Sequence, residues 1–452
     1  MRKNKLMESP ASQRTYNQGM TRRHFLRLTA ISGAGLALGC ATSPVTGKRH
    51  FMLVSEDEEL QIDKQHSPHQ FSADYGPLQD SVLNAYLDRT GKRIASLTHR
   101  PQLPYSFRGV NATYVNAYTF PGGSVGVTRG ILLSLNNESE LAALLGHELG
   151  HVNARHTAQQ MSKSMVTSAL VSGIAIFAGT QGAVYGELAS QLGMLGAGAL
   201  LASYSRDNER EADSLGMEYM VRAEYTPQGM VGLMDMLRNM SKRKPSAIEL
   251  MFATHPMSDE RYRTAVQESQ TKRASAKGFP THRERYMDNT AALRKLKSAI
   301  EELQNGEGAL VQKKYGDAET HFRKALKQAP DDYAGLVMMS KCQLLQKKYG
   351  EAQRYAESAT QVYPQEAQAY HLLGFAEISL KDFDSAHEAF STYEKLLPGN
   401  PNTIFFRGYS LEGMKKIKEA ASQYQRYLQI VNQGEQAQYA YRRLVEWGYI
   451  KR

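Results

Sequence analysis

Hydrophobic and small residues recur at a fixed interval in the C-terminal part of the chain. The interval is 34 residues, and it is kept by three series of positions: Tyr315, Tyr349, Phe383 and Ile417; Ala318, Ala352, Ala386 and Ala420; and Pro330, Pro364 and Pro398. This period, with alanines where paired helices touch, is typical of tetratricopeptide (TPR) repeats. We therefore expect an all-α solenoid from about residue 297 to 432, with a capping helix to Trp447 and a concave face suited to an extended peptide or a partner's helix.

A second apolar pattern predicts a helix in the middle of the chain. Asn136 or Asn137 can cap it, and Glu138 and Glu140 fall in its first turn. The apolar positions that follow keep a helical period: Leu141, Leu144, Leu145, Leu149 and Val152.

This helix contains the run His-Glu-Leu-Gly-His, from His147 to His151. Residues four apart lie on one helix face, so both imidazoles can reach a single Zn²⁺. Glu148, one position along, is placed to act as a general base toward water. The pattern predicts the ligand pair and base of a metalloprotease.

A catalytic zinc site needs a third protein ligand and an open position. The best candidates follow Ser205, where Glu209 and Asp213 share one helix face. Glu209 can bind the metal, and Asp213 can accept the N–H of a ligand histidine. Glu211 is the alternative ligand, one helical step out of register. Without the histidines, the segment would be only a charged, solvated helix.

An alternating stretch precedes the predicted zinc helix. The positions we assign to a substrate-binding strand are Gly123, Ser124, Val125, Gly126, Val127 and Thr128. Their period of two suits a strand buried on one face, after a turn at Pro121. An edge strand beside the zinc helix could pair with an extended substrate backbone. The alternative is a structural strand without a ligand.

These motifs together resemble the M48 group of zinc endopeptidases, in which a Glu-x-x-Ala-Asp run lies about 60 residues after the HExxH run. Segments 44–58 and 116–128, and Phe252–Pro256 with Arg261, also resemble parts of that family. The resemblance covers roughly residues 44 to 262. It implies an α+β zincin-like domain, mainly helical with a small sheet, and one Zn²⁺ per chain with Glu209 as third ligand.

Three residues are candidates to stabilise a developing oxyanion: His255, Arg261 and Tyr204. His255 has a second candidate role, because its imidazole could occupy the open metal position and hold the enzyme latent. The alternative is a packing histidine. His156 lies five residues after His151, and we expect it on the helix surface.

The N-terminus has the basic, apolar and small-residue order of an export signal. Its apolar run, 28–38, has 11 residues, too few to span a bilayer of ~30 Å. Arg22 and Arg23 resemble a twin-arginine signal, and Cys40 resembles the acylated residue of a lipobox. We therefore expect twin-arginine export and a periplasmic protein tethered to the outer membrane through a lipid on Cys40.

Charge and composition divide the chain further. Residues 1–39 hold seven of the 55 Lys and Arg and one of the 45 Asp and Glu residues, so the remainder carries about +4 rather than +10. No basic stripe with interleaved aromatics remains, which argues against nucleic-acid binding. We predict a signal (1–39), a metalloprotease domain (40–270), a linker with a lead-in helix (271–296) and TPR repeats with a cap (297–452).

The resemblance extends to the bacterial β-barrel assembly-enhancing protease family. It implies a periplasmic zinc endopeptidase acting on unfolded, misassembled or stalled envelope and outer-membrane proteins, with the outer-membrane assembly machinery as a partner. The alternative is a TPR chaperone or assembly factor in which proteolysis is latent or secondary. The Gly- and Ala-rich stretch 165–202 is expected to form buried helices or a mobile, membrane-touching lid.

Overall fold

The computed structural model of the chain describes residues 40–163, 204–243 and 249–451. The predicted export signal and the stretch 165–202 lie outside the described residues. Within the described ranges, no helix combines the length and the apolar character that a membrane span requires.

Two small sheets form the β part of the fold. The first is an antiparallel pair of β1 (Cys40–Thr42) and β2 (Arg49–Phe51). The second has the strand order β3-β5-β4, in which β3 (Ser106–Val110) runs parallel and β4 (Ala117–Thr119) antiparallel to β5 (Ser124–Thr128). β5 is therefore the central strand.

This topology corrects the expectation that β5 is an edge strand. All five residues of β5 pair with β3, and Val125–Val127 also pair with β4 on the other side. The alternation of small and apolar residues predicted one exposed face, but an added Cβ at Gly126 would lie 2.6 Å from the Tyr118 ring, so that face is covered too. β3 and β4 are the two edge strands. The outer side of β3 is bonded to Pro77, Leu78, Asn84 and Asp88, so in the described part of the chain the free edge belongs to β4.

Helices make up most of the N-terminal region. They are α1 (Glu56–Ala73), α2 (Ser81–Ala95), α3 (Arg129–Ser134), α4 (Glu138–Asn153), α5 (Arg206–Arg222), α6 (Gln228–Arg243), α7 (Glu249–Thr254), α8 (Asp259–Gln270), α9 (Arg283–Asn289) and α10 (Ala291–Lys295). A further helical stretch, 156–163, follows α4. Every residue of α4 is buried, because β4, α2, α5 and α6 all pack around it.

Glycines set the spacing between α4 and α5. An added Cβ at Gly146 would lie 2.7 Å from the carbonyl oxygen of Gly216, and one at Gly150 would lie 2.8 Å from that of Ala212. Real Cβ atoms do not approach backbone so closely, so only glycine lets these two helix backbones touch. The close approach brings the two predicted ligand segments together.

The C-terminal region consists of antiparallel helix pairs. They are α11 (Lys297–Val311) with α12 (Tyr315–Gln328), α13 (Tyr333–Leu345) with α14 (Tyr349–Val362), α15 (Gln368–Leu380) with α16 (Phe383–Leu396), and α17 (Pro401–Gly413) with α18 (Ile417–Leu428), followed by α19 (Glu435–Glu446). The 34-residue period also appears in the backbone, because the turn within each pair has a lysine in the left-handed region: Lys313, Lys347, Lys381 and Lys415. The predicted fold class, a mainly helical α+β domain followed by a TPR solenoid, is confirmed.

The two regions share a buried junction. Residues 72–79, here called the Tyr75 turn, pack against the apolar clusters that α11 to α15 build. The Tyr75 hydroxyl donates to Glu307 on α11 (3.2 Å), and the Gln79 amide donates to the carbonyl of Val362 (3.1 Å). Arg129, at the start of α3, forms a buried ion pair with Asp332, the N-cap of α13 (2.5 Å).

Residues 271–296, predicted as a linker and lead-in helix, are packed rather than extended. Tyr286 of α9 is fully buried and donates to the carbonyl of Leu132 (2.6 Å). Leu293 of α10 belongs to the same apolar core as α4. The polar composition of 269–278 therefore reflects a surface turn, and it does not extend to the helices that follow.

Candidate metal centre

α4 carries three of the predicted site residues in a buried position. Asn137 caps the helix, since its side-chain oxygen accepts from the backbone N–H of Glu140 (3.0 Å). About three and four turns after the cap, His147 and His151 place their Nε2 atoms 3.1 Å apart. Glu148 is 1% exposed, and neither of its carboxylate oxygens has a hydrogen-bond partner among the described residues.

α5 supplies the carboxylate. Ser205 caps this helix, which places Glu209 in its first turn. The Oε1 atom of Glu209 lies 3.3 Å from Nε2 of His151, and Oε2 lies 3.6 Å from Nε2 of His147. The structure therefore brings the three predicted ligands together, although they come from helices separated by more than 50 positions in the sequence.

His255, which follows α7, joins the same group. Its Nδ1 atom lies 3.1 Å from Oε1 of Glu209 and 3.3 Å from Nε2 of His147. Donor atoms of His147, His151, Glu209 and His255 all lie within 4.8 Å of one another, and all four residues are buried. The other ring nitrogen of His255 is 3.9 Å from Glu148.

The donor set fits a zinc ion. Tetrahedral zinc with nitrogen ligands at about 2.0–2.1 Å has donors roughly 3.3–3.4 Å apart. Five donor pairs here lie 3.1 to 3.6 Å apart, and the whole set stays within 4.8 Å. Imidazole and carboxylate are ligands that zinc accepts. Three imidazoles crowded around a buried carboxylate also leave lone pairs facing each other unless a proton or a metal ion lies between them.

Two further side chains, Asp213 and Arg261, hold two of these ligands. Asp213 Oδ1 lies at ion-pair distance, 2.9 Å, from Nδ1 of His147, as expected for a carboxylate that orients a ligand histidine. Arg261 binds Asp213 through two nitrogens, each at 2.7 Å, and its Nη1 is also 2.7 Å from Glu209. The Arg261 guanidinium is therefore already engaged with the ligand Glu209 and with Asp213, the partner of His147.

His156 does not lie on the helix surface, which corrects our expectation. It is 1% exposed, and its Nδ1 atom is 3.0 Å from Nδ1 of His151. The reason is a break after α4: Arg155 has a left-handed backbone (φ 58°), so the helical wheel does not continue to His156. Glu211, the alternative ligand, faces His156 (3.2 Å) and is not part of the four-residue group.

Tyr204 borders the site, and Asn116 lies directly before β4, which packs against α4. The Tyr204 ring stacks on His151 with centroids 3.8 Å apart, and its hydroxyl contacts Thr157 (3.0 Å). Asn116, directly before β4, is buried with both side-chain amide atoms unpaired among the described residues. Sequence reasoning placed Asn116 only within a family-like segment, since a single asparagine carries no signal of its own.

Burial and charge set the protonation of the centre. Burial raises the pKa of Glu148 above its ordinary value, against the opposing effect of His255 and His147. Burial also acts on Glu209, but His255 and His147 outweigh it and hold the pKa of Glu209 well below its usual range. Burial lowers the pKa of His151, which keeps its imidazole neutral and able to offer a lone pair.

Two histidines of one helix and a carboxylate of a second form a donor set typical of metallopeptidases, and the domain that holds them is followed by a helical-repeat solenoid. Residues 81–269 match the model of peptidase family M48, and residues 309–376 match a tetratricopeptide repeat model. The chain therefore contains an M48 peptidase domain followed by TPR repeats. This family implies a metal cofactor.

Known relatives are similar in sequence to this chain over its peptidase domain. The beta-barrel assembly-enhancing protease of Yersinia pestis is 31% identical over 192 residues, which cover 41% of this chain and 38% of that protein. Metalloprotease YcaL of Escherichia coli K12 is 32% identical over 176 residues, covering 38% of this chain and 66% of the relative. The chain thus matches well under half the length of the first relative.

Among solved structures, the TPR protein YrrB aligns with 15% identity and a TM-score of 0.31, covering 45% of this chain and 96% of that protein. MamA from Desulfovibrio magneticus RS-1 aligns with 23% identity and a TM-score of 0.29, covering 38% of this chain and 96% of its own.

Proposed function

We propose that the chain is a zinc-dependent endopeptidase whose catalytic domain spans residues 40–270. The observation that carries this proposal is the buried group of His147, His151 and Glu209 beside the carboxylate of Glu148, which has no hydrogen-bond partner among the described residues. When bound, zinc supplies Lewis acidity toward a peptide carbonyl and lowers the pKa of water.

Glu148 is the general base in this proposal. Its raised pKa suits a group that takes a proton from water and returns it to the leaving amine. In the part of the chain that the structure describes, no hydrogen-bond partner occupies either carboxylate oxygen, which suits that exchange. His147, His151 and Glu209 hold the metal, and Asp213 and Arg261 hold two of those ligands in place.

The substrate backbone is proposed to pair with β4 in place of β5. β4 has the free sheet edge, and it packs beside α4, which carries the ligands and the base. Main-chain pairing at such an edge gives affinity with little demand on sequence. The Asn116 amide directly before this strand, unpaired within the described ranges, is proposed to add one more contact.

His255 is proposed to keep the site latent. Three ligands plus an open position define a catalytic zinc site, and four protein ligands define a closed one. With its Nδ1 atom at 3.1–3.3 Å from Glu209 and His147, His255 lies where the fourth ligand would be. Its movement would open the position and leave an imidazole at the rim as an oxyanion donor.

The proposed setting is the bacterial periplasm, with lipidated Cys40 as outer-membrane tether after twin-arginine export. The proposed substrates are unfolded or misassembled envelope proteins, since the Yersinia pestis relative named above is a beta-barrel assembly-enhancing protease. Because the Tyr75 turn covers part of α11 to α15, partner contacts, with the outer-membrane assembly machinery among them, would fall on the later repeats.

Glu148→Gln tests the catalytic proposal. The variant should bind one zinc per chain and melt at the wild-type temperature, while casein cleavage falls by about 10²–10⁴-fold because the base is lost. The matched control is Glu224→Gln, an exposed carboxylate away from the site. Cleavage by Glu148→Gln at the wild-type rate would contradict the proposal. An inactive variant that still performs the cellular function would favour the chaperone alternative.

A further inference from the structure

His156 and Glu211 form a polar chain behind the metal site that no catalytic step above uses. Nδ1 of His156 faces Nδ1 of His151 at 3.0 Å, and Nε2 of His156 faces Oε2 of Glu211 at 3.2 Å. His156 is buried, whereas the Glu211 side chain is 34% exposed. This polar chain of side chains therefore runs from a proposed metal ligand to the protein surface.

Hydrogen-bond chemistry fixes the direction of this chain if His151 binds a metal. Its Nε2 atom must then offer a lone pair toward the ion, so its proton lies on Nδ1. That N–H points at Nδ1 of His156, which must accept. The proton of His156 consequently lies on Nε2 and is donated to the Glu211 carboxylate.

The two metal-binding histidines thus have different partners. His147 faces a carboxylate, Asp213, directly (2.9 Å). His151 faces a neutral imidazole, and the negative charge of Glu211 lies one ring further away. Carboxylate and carbonyl groups are the usual partners of ligand histidines, so an interposed imidazole is a distinct way to fix the ring.

The backbone holds His156 in this place. Arg155 adopts its left-handed conformation while its guanidinium binds the buried Glu59 (2.9 Å) and the carbonyl of Val54 (2.9 Å). On the other side, Thr157 contacts the hydroxyl of Tyr204, the ring that stacks on His151. Both neighbours of His156 in the sequence are therefore anchored.

We propose that His156, oriented by Glu211, is a positioning residue that fixes the tautomer and the ring plane of His151 for metal binding. This inference rests on the proposed metal function. It concerns metal affinity, and it assigns no proton transfer to His156.

The test measures zinc affinity by competition with a chelator, together with the rise in melting temperature on adding zinc. His156→Phe keeps an aromatic ring but lacks the acceptor, and its zinc affinity should fall by about 10–100-fold. Glu211→Gln retains an oxygen acceptor and should lose less than His156→Phe. Glu260→Gln removes another carboxylate that pairs with α5, through Arg210, and should bind zinc like the wild type.

The stability of the metal-free protein distinguishes a positioning role of His156 from a role in packing alone. If His156 is a positioning residue, adding zinc should raise the melting temperature of His156→Phe by less than it raises that of the wild type. This difference is measured separately from any change in the melting temperature of the metal-free protein. Should His156→Phe fail to fold, the surface variant Glu211→Leu removes the acceptor of His156 and should still weaken zinc binding several-fold. Wild-type affinity in either folded variant would overturn the inference while leaving the proposed peptidase intact. A wild-type protein that binds no zinc would overturn both.

Discussion

At the scale of single residues, the role of His255 decides whether the metal site is closed or catalytic. As a fourth ligand it blocks catalysis, and as an oxyanion donor it assists catalysis. Its contacts with Glu209 and His147 are those of a ligand, while its Nε2 atom is only 3.9 Å from the base Glu148. Both roles can belong to one imidazole only if the segment carrying it moves.

The direction in which His255→Ala changes proteolytic activity should therefore distinguish the two roles. If the closed form dominates, removing the imidazole opens the metal position and raises basal casein cleavage, and X-ray absorption should show one nitrogen ligand fewer. If His255 serves mainly as oxyanion donor, cleavage falls by about 10²–10³-fold. His282→Ala, a histidine outside the site, is the control. Unchanged cleavage with an unchanged coordination shell would end the latency proposal.

The spacing of the HExxH run was enough to predict which side chains of α4 converge, because i and i+4 positions share a helix face. Glu209 and Asp213 could be predicted from the same rule and the family resemblance. His156 could not, because its position follows from the left-handed backbone of Arg155, whose side chain forms a buried ion pair with Glu59 of α1. Helical periodicity carries no information across such a break.

At the scale of elements, the contact between α4 and α5 decides the metal geometry. Gly150 lies inside the HExxH run, next to His151, and an added Cβ would meet backbone atoms of Ala212 at 2.8–2.9 Å. Backbone cannot move aside as a side chain can, so any larger residue must push α5 and its Glu209 outward.

Gly150→Ala should consequently lower both stability and metal affinity. We expect a loss of about 1–3 kcal/mol in the free energy of unfolding by urea, together with weaker zinc binding. Gly350→Ala is the matched control, since that glycine is also helical but has open space at its Cβ position. The control should be neutral or more stable by about 0.5–1 kcal/mol. Equal behaviour of the two variants would contradict the close-packing argument.

The place of β5 within its sheet could not be predicted from the sequence pattern. The alternation of Val125 and Val127 with small residues predicted a strand at the right place, and β5 is confirmed as one. The pattern could not show which edge stays unpaired, because β3 and β4 pair with it from both sides. β4 has only three residues, too few for a period of two to stand out.

At the scale of the whole molecule, the peptidase and TPR regions form one packed body. The 34-residue period predicted the solenoid and its helix pairs, because each repeat follows the same local rule. It did not predict the junction, where Arg129 pairs with Asp332 and the Tyr75 turn packs against the repeats. Such contacts join residues more than 200 positions apart, and no local pattern encodes them.

The fit of the Tyr75 turn depends on Gly76. This residue has a left-handed backbone (φ 75°), and an added Cβ would lie 2.3 Å from a carboxylate oxygen of Glu366. Glu366 is itself buried and bonded to Ser72, so it cannot simply turn away. Any side chain at this position therefore costs both backbone strain and a disturbed junction.

Gly76→Ala should loosen the solenoid from the peptidase domain. Gly47→Ala is the matched control, since Gly47 has a similar backbone (φ 67°) but nothing within 4 Å of its Cβ position. Both variants pay about 1–2 kcal/mol for a left-handed alanine, and Gly76→Ala should lose a further 1–3 kcal/mol, roughly, from the crowded contact. Urea unfolding gives the two free energies, and amide hydrogen exchange in α11 and α13 should accelerate only for Gly76→Ala. Equal losses in both variants, with unchanged exchange, would show that this turn does not hold the two regions together.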